Sequence, residues 1–600
     1  MNKTAMALSV GLCLTIATAS PVFGAVLEET IVTAQKRNQD LQDVGNAVTA
    51  CTCEQMDALG VSNIKEIAEM TPGVHLAASV AGQASQFTIR GVTQNDFSDH
   101  TESPIATYID ETYIMSPQGQ QFALFDLERV EILKGPQGTL FGRNATGGLV
   151  HFITRKPSEE TEGYLSLEYG DYSRVKVEGA VGGSLSDSVR GRISGLYSDQ
   201  DSYLNNNYDS AAPQAFTPAP ELIATGSGED LGALTNKALR AHLEFDLNQD
   251  ATLLLSGNWA DAKMSTGPYQ SEPTYAVLDS AGNQVNAAKV TPDQTAFAFL
   301  TDGTPVNVPA SRPVPGGDLT GYIDSNVLDR NVNSNFAYDD LNSVKTWGTS
   351  AKLDWDLGAY SLTSITDYKS MKKYLGMDVD GAPMNQLAFF AQADVKQWSQ
   401  ELRLQGEFDK ARWVAGVFYL GADYDNANGF KVVTNGPLLL PPNTFVGDYP
   451  AEVDQKVDSY SLFGQVDYDL SDSLTLTAGL RVIQEKKDYD YSLVYRLPDQ
   501  SPRKWATGTS LGDFGTLAGL GFETATKQSS DDPLWTGKIQ LDWQMDEDLL
   551  LYAGINRGVK AGGFNAPIDF GDGQLTPGFN YKYDEEVLVA YEAGVKSTIF

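Results

Sequence analysis

The sequence predicts a mainly β chain: a transmembrane antiparallel β-barrel preceded by a smaller N-terminal α+β unit. Three features of the 600 residues carry that expectation. Apolar and polar residues alternate along many segments. The connections between those segments take turns between very short and very long. The texture also changes near residue 160, from mixed and glycine-rich to a repeated series of strand pairs.

The chain opens like an export signal. Lys3 supplies a positive start, Ala5 to Ala19 is an apolar run too short to span a bilayer, and Val22 and Gly24 fit a small-residue cleavage pattern. Residues 1–24 are therefore expected to be a signal peptide, with a mature start near Ala25. No later segment holds about 18 consecutive apolar residues, so no transmembrane helix is expected. In the mixed region a helix is predicted over Asn63 to Met70, capped by Ser62 and stopped by Thr71-Pro72-Gly73.

From about residue 162 the period is two. Leu239, Ala241, Leu243, Phe245 and Leu247 alternate with Arg240, His242, Glu244 and Asp246. Leu353, Trp355 and Leu357 alternate with Lys352, Asp354 and Asp356. The pattern returns in Tyr460 to Leu470 (broken by Phe463), Leu474 to Val482 and Ile539 to Met545. A soluble sandwich would alternate in the same way, so the connections decide. Asn248-Gln249-Asp250, Gly358-Ala359, Asp409-Lys410-Ala411, Ser471-Asp472-Ser473 and Asp546-Glu547-Asp548 are tight. Residues 264–345, 425–456, 491–533 and 561–583 read as long polar loops. Tight turns at one end and long loops at the other are the pattern of an up-and-down outer-membrane barrel, whose closed ladder satisfies every backbone group in lipid. Trp355, Tyr360, Tyr368, Trp398, Trp413, Tyr419, Trp535, Trp543 and Tyr552 fall where interfacial girdles would lie.

Roughly fourteen strands are counted, whereas a barrel enclosing a unit of over a hundred residues needs about 22. Several C-terminal strands are thus expected to be missing. The strand near Tyr164 is expected to find no closing partner near Phe600.

The balance of 78 acidic against 43 basic residues, net −35 with a pI near 4.4, excludes nucleic acid as a partner. It could favour cationic ligands, although solvated acidic loops explain it more simply. Cys51 and Cys53 form a CxC pair without nearby His, too little for a metal site. His75, His100, His151 and His242 are scattered, with no zinc or triad spacing. No catalytic residue, metal or cofactor is expected. The run GPQGTLFGRNATGG lacks the phosphate-loop pattern, so its glycines are assigned to tight turns and close backbone approach.

Several segments together resemble the TonB-dependent outer-membrane receptors. Glu29, Thr30, Ile31, Val32, Thr33 and Ala34 resemble a TonB box. Asp40 to Val44 and Ala47 to Ala50 resemble the stretch that comes after the box in iron-complex receptors, and Ile89-Arg90-Gly91-Val92 resembles a plug motif. FDLERVEILKGPQGTLFGRNATGGLVHFITRKP, Phe125 to Pro157, resembles the family's most specific plug segment. WSQELRL (Trp398 to Leu404) and YEAGVKS (Tyr591 to Ser597) resemble barrel strands. The resemblance implies a 22-stranded type of barrel over residues 161–600, a plug domain over 46–160, and a box with N-terminal extension over 25–45. It places plug-motif residues at Arg90, Gly91, Arg129, Glu131, Lys134, Gly135, Pro136, Gly138, Gly142, Arg143, Gly147 and Gly148. The box must be extended and unpaired, so that a periplasmic partner can add it as a strand.

Strand parity puts Glu401, Arg403 and Glu407 on the inner face, with Leu402, Leu404 and Phe408 outside; Glu592 and Lys596 likewise face inward. Buried carboxylates need cations. The resemblance implies that plug basic residues meet barrel glutamates, so Arg90 and Lys134 are expected against Glu592, with Glu401 a further acceptor. Lys at 134 gives up the bidentate fork of Arg.

The function so implied is energy-coupled uptake of a scarce solute, an iron–siderophore complex first, through the outer membrane of a Gram-negative bacterium. The implied partners are TonB, outer-membrane lipid and an extracellular ligand such as a ferric siderophore. A carbohydrate or vitamin is the alternative cargo. A signalling transducer would need an extra domain ahead of the box. A passive porin would leave residues 26–160 unexplained, and a barrel enzyme would need an inward Ser/His pair.

Overall fold

The computed structural model describes residues 30–59, 61, 64–79, 84–94, 96, 98–116, 125–208, 228–270, 272–306, 312, 314–317, 322–323, 329–379, 381–383, 387–434, 445–493, 524–566 and 581–598. The predicted signal peptide, Glu29 and the predicted Ser62 cap lie outside them.

The N-terminal unit begins with a hairpin of β1 (Ile31–Val32) and β2 (Gln39–Asp40). Then come β3 (Val48–Thr52), α1 (Cys53–Leu59), α2 (Ile64–Met70), β4 (Val74–Ser79) and β5 (Ala84–Ile89). β6 (Ile105–Ile109), β7 (Thr112–Ile114), β8 (Leu127–Lys134), α3 (Gly138–Phe141) and β9 (Gly148–Thr154) complete it. Five strands make one sheet in the order β3-β8-β9-β6-β7, with only β6 and β9 parallel. Ile64, Ile67 and Ala68 of α2 bury against Val130, Ile132 and Phe152 of the sheet. The helix ends as expected: Thr71 Oγ1 donates to the Ile67 carbonyl at 2.8 Å, and Gly73 turns the chain at φ +76.

α1 is not among the predicted elements, though its signal is in the sequence. Thr52 and Gln55 form a capping box, Gln55 N–H to Thr52 Oγ1 at 3.3 Å and Thr52 N–H to Gln55 Oε1 at 3.2 Å. Cys51 and Cys53 flank that cap as thiols rather than a disulfide.

The rest is built round one sheet. β10 (Glu162–Tyr169), β11 (Val175–Ser186), β12 (Val189–Gln200), the short β13 (Asn205–Asn206), β14 (Leu234–Asp246) and β15 (Ala251–Met264) come first. Four strands of the connection after β15 form a small separate sheet: β16 (Thr274–Leu278), β17 (Gln284–Lys289), β18 (Ala298–Leu300) and β19 (Pro305–Val306). Arg312 ties it together by donating to the carbonyls of Thr274, Ala296 and Gly317. After β20 (Asn331–Val332) come the long strands β21 (Asn342–Asp356), β22 (Tyr360–Asp378), β23 (Leu387–Phe408), β24 (Ala411–Thr434) and β25 (Phe445–Ser471). β26 (Leu474–Leu493), β27 (Thr524–Asp546), β28 (Leu549–Lys560), the short pair β29 (Gly563–Phe564) and β30 (Lys582–Tyr583), and β31 (Glu586–Ser597) finish it. Fourteen strands, β10 to β12, β14, β15, β21 to β28 and β31, pair antiparallel in chain order. Among the described residues β10 pairs only with β11, and β31 only with β28.

The outer face is apolar and banded. Trp347 and Trp355, Tyr360 and Tyr368, Tyr460 and Tyr468, and Trp535 and Trp543 mark two rings, each pair eight residues apart on its strand. At ~3.3 Å per residue that is about 26 Å of strand, comparable to the ~25 Å apolar band of such barrels. Neighbouring girdle rings touch, Trp398 to Tyr419 at 5.0 Å and Tyr419 to Tyr460 at 4.9 Å.

Two predicted loops are strand over their described residues. Within 425–456, β24 continues to Thr434 and β25 starts at Phe445; within 491–533, β27 starts at Thr524. Beyond the upper girdle the outward positions are charged, as at Asp423, Asp425, Asp454 and Lys456. The apolar positions there, Ala422, Tyr424, Val453 and Val457, face inward instead, so the apolar-out alternation is inverted, and the ladder nevertheless runs on, Asp425 opposite Asp454. Phe463 breaks the alternation because it points inward, 2% exposed, among the residues that pack on the plug.

Candidate functional site

The N-terminal unit sits on the inner face of the sheet, and their contact is built from small residues and buried ions. The turn around α3 presses on the wall of β26 to β28. A Cβ at Gly138 would lie 2.7 Å from the Thr536 methyl, one at Gly479 2.6 Å from the Thr139 methyl, and one at Gly558 3.0 Å from Pro136. Gly142 closes the turn at φ +84, where a side chain would strain the backbone and meet the Arg481 guanidinium at 3.1 Å. Gly148, at φ +145, lets β9 approach to where a Cβ would be 2.3 Å from the Leu133 carbonyl oxygen. Gly91 and Gly135 also have positive φ, and Gly147 packs on Ile105 and Val92.

At the apex, beside the long-connection end, Arg143 pairs with Glu102 and, at 2.6 Å, with Glu485. Lys487 pairs with the same two carboxylates at 2.8 and 3.5 Å. All four side chains are at most 5% exposed, and two positive charges face two negative ones. Burial pushes the Glu102 carboxyl up, but Arg143 and Lys487 outweigh it and hold it at about 2.

At the base, near the tight turns, lies the predicted box. Glu29 is outside the described residues. Ile31 and Val32 pair with Asp40 and Gln39, so the box is not unpaired as expected. The cause is local: Lys36 adopts φ +59 and its N–H donates to the Thr33 carbonyl at 2.9 Å, folding the chain back on itself. Val32 and Ala34 are buried, Ile31 is 41% exposed, and Thr30 contributes its carbonyl to Leu41 N–H. Thr33 donates its N–H and hydroxyl to Glu131, which also takes Arg129 Nε at 2.9 Å.

Lys36 and Arg37 reach from this turn into the lumen. Lys36 lies 3.4 Å from Glu401 and 3.8 Å from Glu111, with its ammonium 4.9 Å from the centre of the Phe141 ring. Arg403 bridges the same two carboxylates at 2.8 and 2.6 Å, and Lys352 reaches Glu111 at 2.9 Å. Arg37 pairs with Asp467. Burial pushes the Lys36 ammonium below its ordinary value, against the pull of Glu401 and Glu111.

The expected plug–barrel pairs are sorted differently. Arg90 lies against Glu592, which also accepts from Asn556 at 3.0 Å. Lys134 does not reach Glu592 and forms no ion pair among the described residues. It ends β8, with its N–H on the Ala47 carbonyl, and the neighbouring Arg90 cation takes the carboxylate in its place. Glu401 meets neither Arg90 nor Lys134 but Lys36 and Arg403, because it lies over the base hairpin, away from the Ile89–Val92 turn. Glu407 is exposed at the end of β23.

Residues 40–149 match the TonB-dependent Receptor Plug Domain, and residues 275–600 match the TonB dependent receptor-like, beta-barrel family. The chain belongs to the TonB-dependent receptor family. The ferripyoverdine receptor of Pseudomonas aeruginosa is 25% identical over 268 residues, 44% of this chain and 29% of that protein. The vitamin B12 transporter BtuB of Photobacterium profundum is 29% identical over 198 residues, 32% of this chain and 31% of that protein. The chain thus aligns with about a third of the length of these curated relatives. The ferric yersiniabactin uptake receptor FyuA of Yersinia pestis shares the fold at TM-score 0.64 and 15% identity, over 92% of this chain and 70% of that one. The siderophore receptor PiuA of Acinetobacter baumannii does so at 0.60 and 15%, over 94% and 71%. Members of the family are receptors and transporters with outer-membrane barrels that work with TonB, not enzymes.

As a TonB-dependent receptor the chain carries its plug–barrel ions mostly outside the segments that resemble family motifs. Glu102, Glu111, Lys36, Arg37, Asp467, Glu485 and Lys487 are not among the residues the sequence points to. For Glu485 and Lys487 a signal existed: they share inward parity with Arg481 on β26, opposite Leu480 and Val482. The scattered histidines stay apart. His75 is exposed on β4, His100 contacts the Phe564 carbonyl, His151 accepts from Glu111 N–H at 3.0 Å, and His242 lies 2.8 Å from Ser256 Oγ. Among the described residues no His, Cys, Asp or Glu group could hold a metal. A cavity of about 940 Å³ separates the plug from the wall of β14, β15 and β21, lined by Asp110, Arg129, Lys156, Ser256, Ser350 and Lys352 among others.

Proposed function

We propose that this chain is an outer-membrane receptor, exported by the signal at residues 1–24, that takes up an iron–siderophore complex through a TonB-coupled cycle. The observation that supports it most is the arrangement of plug and box: a folded unit seated inside the sheet, with a β-prone segment at its tight-turn, periplasmic end. A passive porin would leave that inner face open to water. Here Glu401, Arg403, Glu485 and Lys487 of the wall are instead buried against the plug.

The cargo assignment rests on the names of the relatives, several of them siderophore receptors. The similarity to a vitamin B12 transporter keeps a vitamin as the second reading. The box of residues 29–34 offers Thr30, Ile31, Val32 and Thr33 as β-formers for strand addition to TonB. Ile31→Pro removes a backbone donor from that strand. Energised uptake of the ferric siderophore is then expected to fall to background while surface binding stays within about twofold. Uptake continuing at the wild-type rate refutes the assignment. Fractionation should place the chain in the outer membrane with heat-modifiable gel mobility; recovery in the soluble periplasmic fraction would refute the barrel.

A further inference from the structure

A chain exported from the cytoplasm enters an oxidising compartment, where its thiols meet protein disulfides. Of the three cysteines in the 600 residues, Cys13 lies in the predicted signal peptide, and Cys51 and Cys53 are left as each other's partner within this sequence. We propose that Cys51 and Cys53 form a redox-active dithiol at the base of the plug, closed to a disulfide by exchange with a periplasmic protein disulfide and opened again by a periplasmic dithiol. The proposal rests on the reading of residues 1–24 as an export signal.

The backbone brings the two thiols together. Positions two apart on a strand share a face, and both cysteines pack against the one cluster that holds Val130, Ile132 and Phe152. Two strand steps separate the Cα atoms by about 6.7 Å. That is the upper end of the ~4.4–6.8 Å that a disulfide spans, so a bridge needs the chain to shorten by only about 1 Å. The place for that shortening is built in. Thr52 ends β3 and Cys53 opens α1, so strand and helix meet between the two thiols.

The two thiols are unequal. The Arg155 guanidinium stands against the Cys53 sulfur. Arg155 is itself placed by donating Nε–H to the Leu127 carbonyl at 3.2 Å and by pairing with Glu54 at 3.4 Å. A guanidinium stabilises a thiolate that forms beside it, and the thiolate is the attacking species in exchange. Cys51 lies further into β3, where burial pushes its thiol up. An attacking thiol beside a cation, with a better covered second thiol within reach, suits the two steps of exchange. Approach comes from the base. Glu54 and Gln55 are exposed next to Cys53, and with Thr52 and Arg155 they line the cavity of about 940 Å³ between plug and wall.

The Cys53 thiolate attacks one sulfur of the incoming disulfide, which forms a mixed disulfide and expels the other donor sulfur as a thiolate. The Cys51 thiolate then attacks the Cys53 sulfur, closes the Cys51–Cys53 bond and expels the second donor thiolate. The two protons of the plug thiols end on the donor, which leaves as a dithiol; two electrons have passed from plug to donor. Shortening the chain at Thr52 breaks the capping box, so the Gln55 N–H loses the Thr52 hydroxyl and the start of α1 reports the redox state of the pair.

The test gives the whole receptor in detergent glutathione disulfide near neutral pH and counts thiols by mass after a maleimide quench. Wild type is expected to lose both thiols and retain no glutathione. Cys51→Ser is expected to hold one glutathione on Cys53, and Cys53→Ser to react at Cys51 about tenfold or more slowly. Arg155→Gln is expected to slow Cys53 about fivefold and leave Cys51 unchanged, while Arg155→Lys stays within about twofold of wild type, a rescue that packing alone would not give. Amide exchange at Gln55 is expected to quicken when the bridge closes. Equal rates at the two cysteines, or glutathione that stays on wild type, overturns the dithiol. In cells, acid-quenched receptor from the outer-membrane fraction is expected to carry the disulfide when the periplasmic thiol oxidase is present and two thiols when it is deleted. Two thiols in both strains overturn the periplasmic exchange. A pair that exchanges in vitro, in a receptor recovered from the cytoplasm, supports the dithiol and counts against the export signal, so the two failures stay apart.

Discussion

The plug is fastened to the barrel at two levels, and the fastenings differ in kind. At the apex, Arg143 and Lys487 face Glu102 and Glu485, two charges against two, and among these four groups no carboxylate has a cation to spare. At the base, Lys36 joins a cluster whose two inward carboxylates, Glu401 and Glu111, already have Arg403 and Lys352, the latter shared with the half-exposed Asp354 at 3.3 Å. Buried ions are costly to desolvate in both places, so net stability separates them less than what happens when one member departs. The apex is built to stay assembled, and the base can lose a member and remain satisfied.

The largest expected effect breaks that comparison if it fails. Arg143→Met leaves Glu102 and Glu485, both at most 2% exposed, to share Lys487. Stranding a buried charge typically costs about 3–5 kcal/mol. The plug's urea midpoint, read from a fluorophore on the α3 turn, is expected to drop accordingly. Lys36→Met, read with the same probe, is expected to cost under ~1 kcal/mol because the remaining cluster is balanced. Equal losses in the two variants would show that charge count does not distinguish apex from base.

Acid sharpens the comparison. Glu102, held at about 2, has an unfolded value near 4.3, so its contribution is fully present above about pH 4.3 and is lost as pH falls towards 2. His100 and His151 are pushed below their ordinary value by burial. The unfolded chain therefore takes up protons, from about pH 6.5 downward, that the folded plug resists. Both effects have the same sign. Plug stability by the α3 probe is expected to decline as pH falls from 6.5, and to decline further between about 4.3 and 2. In Glu102→Gln the lower part of that decline should shrink but not vanish, because Asp110 and Glu111 are also held low: burial pushes both up, and Lys156 and Arg403 respectively outweigh it. If it persists undiminished, Glu102 is not what titrates.

How much of this was legible depends on the physics that places each residue. Strand parity is local, so the inward positions of Glu401, Arg403 and Glu592 could be read from neighbouring apolar residues. Which cation meets each carboxylate depends on how the plug is turned inside the sheet, and no period records that. Lys134 and Arg90 are both basic and both near Glu592, and only the three-dimensional course of the Ile89–Val92 turn gives the carboxylate to Arg90. Lys36 was invisible for another reason: the left-handed position of the turn is taken by a lysine at φ +59 and not by the nearby Asn38, the residue type that would announce it. The fourteen strands were countable because the bilayer imposes period two on their outer face, and the count failed to reach into 425–456 where the strands rise beyond the girdle into water.

The smallest expected effect concerns the pair that the sequence did anticipate. Arg90 and Glu592 meet at the rim of the plug, with the arginine side chain 43% exposed and Glu592 also holding Asn556. Water screens the arginine charge, and the carboxylate keeps a donor and partial solvation if the cation is removed. Pairs of this exposure are worth about 0–1 kcal/mol. Arg90→Gln is accordingly expected to move the α3-probe midpoint by less than ~1 kcal/mol, several-fold less than Arg143→Met, and by less still in high salt. Gly135 narrows the margin: a Cβ there would sit 2.7 Å from Glu592 Oε1 and 3.0 Å from the Arg90 guanidinium. Gly135→Ala, at φ +88, must therefore both strain the backbone and push the pair apart, and is expected to cost more than Arg90→Gln itself. The reverse order would mean that the ion pair, rather than the turn beneath it, holds this edge of the plug.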